Sequence, residues 1–324
     1  MNILKATLTA AALAAAALAV ACSAQAQTFP SRPVRMIVPF PPGGATDIIA
    51  RMVGSKMQEV WGQPVLVESR PGAGTVVGTD SVAKSAPDGY TMGFVVTAHV
   101  INPSLRENMP YDTVKDLSGV TQVSQQQIAI AAYPGFEANT IAELIAIAKK
   151  DPGKIAYATS GSGTALHLVT ELLQVKTGIK LTHVPYKGGA QAAQDVIGGR
   201  VPLDVDIHYS IAQFIKGGKL KVLALTAERR PSYAKEIPLV TETAPGVTAV
   251  SMVGLVVPSA TPRDLVHKAS ADIARAVKNS DLTERMLAQG MEPVGSTPEE
   301  YDTAIRTEIA KWAPVVKASG AKAD

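Results

Sequence analysis

The chain has 324 residues, 46% of them hydrophobic and 18% charged, with a formal net charge of +3. So small a positive charge, with no Lys/Arg run, excludes a nucleic-acid-binding chain, and the length suits two ordinary domains with a sizeable core. A single cysteine (Cys22) excludes a disulfide framework, and the five histidines have no metal-site spacing, so neither metal nor cofactor is expected.

The first residues read as an export leader. Lys5 supplies a charged start, Leu8 to Val20 is an Ala/Leu run too short to span a bilayer comfortably, and Ala24-Gln25-Ala26 is a small-x-small cleavage site. Residues 1–26 are therefore a signal peptide, and the mature chain begins at Gln27 in the periplasm. A lipoprotein site at Cys22, behind Ala19-Val20-Ala21, is the lesser alternative because Ala19 stands where a larger aliphatic residue is usual. Without the leader the chain has no cysteine and no other stretch that reads as transmembrane.

Val34 to Phe40 is a short apolar run ending in Pro41-Pro42-Gly43-Gly44, and a helical pattern follows through Ile48, Ile49, Met52, Val53, Met57 and Val60. A strand, glycine turn and helix start leave backbone N–H groups unpaired beside the positive end of the helix dipole. Anions are favoured there, and Phe40, Gly43, Gly44, Thr46 and Asp47 become candidate binding residues. Asp47 is itself anionic, so capping the helix or fixing the loop suits it better than facing a carboxylate. Pro64 to Glu68 reads as a strand, Arg70 to Gly74 as a turn, Val76 to Lys84 as a helix and Tyr90 to Val96 as a strand running into Thr97-Ala98-His99. Strands alternating with helices at this spacing predict a mostly parallel α/β sheet, whose ligands bind beyond the carboxyl ends of the strands. Thr97 and His99 lie at that edge.

The pattern restarts near Val120. Ile128 to Ala132 is a strand, a helix runs from Thr140 to Asp151-Pro152-Gly153, and Ile155 to Ala158 is a strand. Then comes Thr159-Ser160-Gly161-Ser162-Gly163-Thr164 before a helix with Leu166, Val169, Leu172 and Leu173 on one side. This loop offers hydroxyl and N–H donors at a second helix start, with Ser160, Gly161, Ser162 and Thr164 as candidates. It has neither the Gly-x-Ser-x-Gly spacing of a nucleophile elbow nor the Lys of a phosphate-binding loop, so reversible anion binding fits it better than catalysis. Thr182 to Pro185 is a strand, Ala190 to Ile197 a helix, and Val201 to Ile207 a strand carrying Asp204 and Asp206 on one face. Asp206 and His208, at the end of this strand, join the candidate site. Leu220 to Thr226 and Met252 to Val257 are strands; Arg263 to Lys278 and Pro298 to Ala318 are helices. The expected layout is residues 27–124 in a first lobe, 125–226 in a second, and 227–324 returning to the first.

These stretches resemble the substrate-binding receptors of the tripartite tricarboxylate transporter family, also called the Bordetella uptake gene family. The likeness is carried by Pro39-Phe40 through Gly43-Gly44-Ala45-Thr46-Asp47, Arg70-Pro71-Gly72-Ala73-Gly74, Ala86-Pro87-Asp88-Gly89-Tyr90, Pro110-Tyr111-Asp112, Ser160 to Thr164, and His183-Val184-Pro185-Tyr186-Lys187-Gly188-Gly189. It implies a type II periplasmic binding protein fold, two α/β lobes joined by crossover strands with a ligand between them. It further implies capture of a small organic carboxylate and delivery to membrane permease subunits, by a monomer that is not an enzyme. Where the family usually has Phe-Asp-Asn-x-Pro-Ser, Val205 to Ser210 keeps Asp206 and Ser210 but departs at Ile207, His208 and Tyr209. Two other readings stay open: a periplasmic serine hydrolase using Ser160 or Ser162 with His99 or His208, and a sensing module that signals to a membrane kinase.

Overall fold

The computed structural model describes residues 29–231, 233–278 and 281–321. The expected leader, including Cys22, lies outside the described residues. Strands β1 (Val34–Val38), β2 (Val65–Ser69) and β3 (Thr91–Val96) are parallel, connected through helices α1 (Ala45–Trp61) and α2 (Val76–Ala83). β1 is a nearly continuous apolar run because helices cover both of its faces. Helix α1 buries Ile49, Met52, Val53 and Met57, and stops at Gly62 in the left-handed conformation, whose N–H closes on the Gln58 carbonyl.

Helix α3 (Ala98–Leu105) follows β3 directly, and β4 (Leu117–Ala132) then runs through the middle of the molecule. Its first part pairs with β9 (Val250–Pro258) and β10 (Met291–Pro293). Its last residues pair with β7 (Leu203–Ile207) and β8 (Lys221–Leu225), beyond which lie β5 (Ala156–Thr159) and β6 (Thr182–Pro185). The result is one curled sheet in the order β2-β1-β3-β9-β4-β7-β5-β6, a half-sheet in each lobe. The helices are α4 (Ile141–Lys150), α5 (Ala165–Thr177), α6 (Gly189–Ile197) and α7 (His208–Lys216) in the second lobe. In the first lobe they are α8 (Arg263–Lys278), α9 (Asp281–Ala288) and α10 (Pro298–Ser319).

One side of the sheet is packed continuously across both lobes: Ile37, Val95 and Val256 with Tyr301 and Trp312 of α10, then Ile130, Tyr157 and Leu203 with Leu144 and Val169. Tyr301 reaches the sheet because Gly254 has no side chain; a Cβ there would sit 2.3 Å from the tyrosine hydroxyl. The opposite side is divided, with Met36, Phe94 and Leu255 under α1 and α8, and Ala129, Ala131 and Ala158 under α6.

Two expectations change. Only Ile128 to Ala132 of β4 was expected as strand, yet the strand begins at Leu117. Its crossover portion buries Thr121, Ser124, Gln126 and Gln127, so the apolar alternation that marks a strand is missing. Thr121 donates to the Ser296 carbonyl at 2.7 Å, and the Gln125 and Gln127 amides donate to Glu292 at 3.0 and 3.2 Å. The return to the first lobe, expected at residue 227, comes later. Leu225 pairs with Leu239, and Ala227, Ala234 and Leu239 pack with Ala129 and Ile211 of the second lobe.

Candidate functional site

Strand register brings the carboxyl edges of the two half-sheets face to face. Val96, at the end of β3, lies opposite Val253 of β9, which pairs with Ser124 of β4. From the other lobe, Ile207 at the end of β7 pairs with Ile128. Residues 124–128 thus mark the junction at which the two edges meet. The loops after β1, β3, β5 and β6 and the turn at Ile207 open onto it, where open α/β sheets bind ligands. Thr226 ties the crossing segments together beneath it: its N–H donates to the Ile128 carbonyl at 2.9 Å and its hydroxyl to the Ala249 carbonyl at 2.7 Å.

In the first lobe, residues 41–45 are exposed and Phe40 packs partly against the core. Gly43 takes φ +86°, a conformation glycine adopts without strain. Its N–H donates to Asp47 Oδ2 at 2.9 Å, and the same oxygen accepts from Arg51 Nε at 2.9 Å. The Asp47 carboxylate is only 2% exposed, and the hydrogen bond from Arg51, reinforced by that of Gly43, holds its pKa below the ordinary value against the opposing effect of burial. Asp47 therefore shapes the loop with its charge matched by Arg51. Helix α1 opens at Gly44 with extended backbone and no side-chain cap, so the N–H groups of its first turn, through Thr46, lack an intrahelical partner and face solvent.

Thr97 and His99 do not serve the crevice as expected. The Thr97 hydroxyl is committed to β9, accepting from the Met252 N–H at 2.9 Å and donating to the Val250 carbonyl at 3.3 Å. The His99 ring is buried, stacks on Tyr111, and lines a small cavity with Thr113, Gly119 and Asp302 on the α10 side. Burial pushes its pKa down to about 4, so it is neutral. The cause is helical geometry: α3 begins immediately after the strand, and each residue turns the side chain about 100° away from the edge.

In the second lobe, Thr164 caps α5 by accepting from the His167 N–H at 3.3 Å, while its hydroxyl donates to the Gly161 carbonyl at 2.9 Å. The half-buried Ser160 and Ser162 have hydroxyls that bond no protein group among the described residues. Helix α6 opens at Gly188 with extended backbone and, like α1, no side-chain cap. The Asp206 carboxylate sits against this helix start: a Cβ on Gly189 would lie 2.2 Å from Oδ2, and Oδ1 accepts from the Ile207 N–H at 2.7 Å. Burial raises Asp206 to about 6; Asp204, deeper on the same face, is raised to about 8 by burial and then by the Asp206 charge. His208 is half-buried and stacks on Tyr233, and burial lowers its pKa. Sequence reasoning missed the arginine partner of Asp47 and the Gly189–Asp206 contact; the i,i+4 spacing of Asp47 and Arg51 was the available signal.

Two lobes hinged at a shared strand, with helix starts bordering the crevice between them, define a periplasmic solute-binding protein. The comparisons are specific. The model of the tripartite tricarboxylate transporter family receptor matches residues 49–321. BugT of Bordetella pertussis is 36% identical over 300 residues, 92% of each chain. Among solved structures, Rpa4515 of R. palustris with adipate superposes with a TM-score of 0.79 at 29% identity, covering 91% of this chain and 99% of that one. MatC of Rhodopseudomonas palustris with bound malate gives 0.75 at 28%, covering 89% and 100%. The chain belongs to the tripartite tricarboxylate transporter receptor family. It is a solute-binding receptor and not an enzyme, which closes the hydrolase alternative.

Proposed function

We propose that this receptor captures a small organic carboxylate between its lobes and delivers it to the membrane permease subunits of a tripartite tricarboxylate transporter. The observation that carries the reading is the pair of glycine-opened helix starts, α1 in one lobe and α6 in the other, which have no side-chain cap. Backbone donors at such positions replace the hydration of a carboxylate, aided by the helix dipoles. Ser160 and Ser162 supply further donors, and Gly161 allows close approach of the loop. Asp206, with its raised pKa, serves a hydroxyl or other donor of the ligand, and His208 borders the same edge. Rpa4515 with adipate and MatC with malate make dicarboxylates the first ligands to try. Closure pivots on residues 124–128 and Thr226, and export by the leader places the protein, as a monomer, in the periplasm.

Calorimetric titration of the mature protein with malate, adipate and an uncharged diol tests the ligand class. Saturable binding of an acid with none of the diol is expected; equal binding of the diol contradicts it. Uptake of the bound acid by cells with and without the permease tests delivery. Uptake that persists without the permease contradicts that part.

A further inference from the structure

Behind the Ser160–Thr164 loop lies a layer of aromatic and titratable side chains that ligand capture does not itself require. The rings of His167, on α5, and His183, on β6, are stacked with centroids 3.9 Å apart and planes within 8°. Tyr157, on β5, stacks against His183 at 5.0 Å and lies 6.4 Å from His167. Each imidazole holds one end of the loop. His167 Nδ1 accepts from the Gly163 N–H at 3.1 Å. His183 Nε2 lies 2.7 Å from the Thr159 hydroxyl, whose oxygen accepts from the Gly161 N–H at 3.2 Å.

We propose that His167 is a positioning residue, and that it holds the Ser160–Thr164 loop in its ligand-binding shape only while its imidazole is neutral. The proposal rests on the reading that this loop lines the crevice. A ring nitrogen accepts a hydrogen bond only when unprotonated, so the contact with Gly163 requires the remaining proton on Nε2. That nitrogen faces Glu171 Oε1 at 3.7 Å, an arrangement that favours the required tautomer. A second proton goes to Nδ1 and sets two donors, Nδ1–H and the Gly163 N–H, against each other.

The surroundings decide where that proton goes. Glu171, one turn along α5, attracts it; the carboxylate also accepts from the Tyr157 hydroxyl at 2.7 Å and from the Gln174 amide at 2.5 Å. His183 opposes a second cation in the stack, and burial lowers its own pKa to about 4. Of the two rings, His167 is the one with a carboxylate beside it, and a proton placed on its Nδ1 releases the loop at Gly163. The displacement is transmitted to the lobe interface. Gly163, with φ +71°, lies so close to Leu105 of the first lobe that a Cβ there would be 2.5 Å from Leu105 Cδ2. Acidification therefore loosens the Ser160–Thr164 loop and its seat on the first lobe together.

The test replaces His167 in two ways and reads the loop with and without ligand. His167→Asn keeps a carbonyl acceptor near the position of Nδ1 but cannot titrate; His167→Leu removes the acceptor at every pH. The ligand-free readout is solvent exchange of the Gly163 amide in ¹⁵N-labelled protein, corrected for intrinsic exchange, between about pH 8 and pH 5. The bound readout is affinity for malate and for adipate over the same range. We expect the wild type to lose Gly163 protection and at least about tenfold in affinity, a 1.4 kcal/mol change, as the pH falls. His167→Asn should keep both more nearly constant, and His167→Leu should lack protection throughout and bind more weakly at pH 8. The difference between wild type and His167→Asn isolates this residue from Asp204, Asp206, His183 and the ionisation of the probe. A wild-type pH response that survives unchanged in His167→Asn overturns the proposal, as does full Gly163 protection in His167→Leu. If neither acid binds at any pH, the ligand reading fails, and the Gly163 amide still decides the role of His167.

Discussion

Placing a carboxylate on the protein itself where the ligand carboxylate is expected should separate binding from folding. Gly44 opens α1 with φ −78° and ψ 168°, a conformation open to any residue, and a Cβ there would meet only the Pro41 carbonyl oxygen at an ordinary 3.8 Å. Gly44→Asp therefore fits without strain. The new side chain caps the first-turn N–H groups and complements the helix dipole, worth about 0.3–1 kcal/mol in favour of the folded state. The same bonds are withdrawn from the ligand. A hydrogen bond to a charged group contributes about 1.5–3 kcal/mol, so losing one or two weakens binding by at least about 1.5 kcal/mol, roughly tenfold, before like-charge repulsion is added. Gly44→Asn supplies the cap without the charge and should fall between wild type and Gly44→Asp. Melting temperature and calorimetric affinity for the bound acid, measured on all three proteins, give the result. Unchanged affinity in a folded Gly44→Asp protein would refute the assignment of the α1 start to the ligand.

Asp204 predicts a pH effect on stability. It is fully buried with neither carboxylate oxygen hydrogen-bonded among the described residues, and its pKa is raised to about 8. The folded chain keeps a proton that the unfolded chain sheds near pH 4, so stability falls as pH rises toward about 8. Between about pH 6.5 and 8 the loss is about 2 kcal/mol, several degrees in melting temperature, and Asp204→Asn should abolish it; an unchanged slope in that variant would dismiss the idea. Buried His99 and His183, lowered to about 4, act with the opposite sign and chiefly below about pH 6.5, which separates the effects. Thr226→Val strands the Ala249 carbonyl between the crossovers and should cost about 1–2 kcal/mol in urea unfolding; wild-type stability would show that the link is unimportant. Ser162→Ala should weaken binding several-fold with no change in melting temperature, since its hydroxyl bonds no protein group among the described residues. Asp47→Ala should weaken binding about tenfold by freeing the Gly43 N–H, a loss of roughly 1–2 kcal/mol; normal affinity in both variants would remove these loops from the site.

The short, buried strands β1, β3, β5 and β7 were legible because an apolar run between a turn and a helical pattern has few other readings. The crossover in β4 was not, because it buries polar side chains, and the partners of Thr121 and of the Gln127 amide, Ser296 and Glu292, lie far away in sequence. Helix α3 was hidden by its shortness and by Pro103 within it. Glycine turns revealed where the crevice loops lie, since Gly43 and Gly163 need positive φ and Gly189 must lie flat on Asp206. They did not reveal which side chains turn into the crevice. His99 follows a strand end, as a binding residue would, yet one helical residue after Ala98 rotates it into the core. His167 sits between Leu166 and Val169 in an ordinary helical pattern; its contact with Gly163 depends on rings brought together from α5, β5 and β6, which no local pattern encodes.

The most direct test of the central claim is a melting-temperature screen of the mature protein, unfolded and refolded to strip carried-over ligand, against small mono-, di- and tricarboxylates and neutral analogues. A ligand that binds only the folded state adds about 2.7 kcal/mol at 100 times its dissociation constant, an easily read shift. The receptor described here should respond to one class of acid, and Gly44→Asp should lose most of that response. A shift produced by neutral compounds and by no acid would contradict the claim that the two helix starts bind a carboxylate.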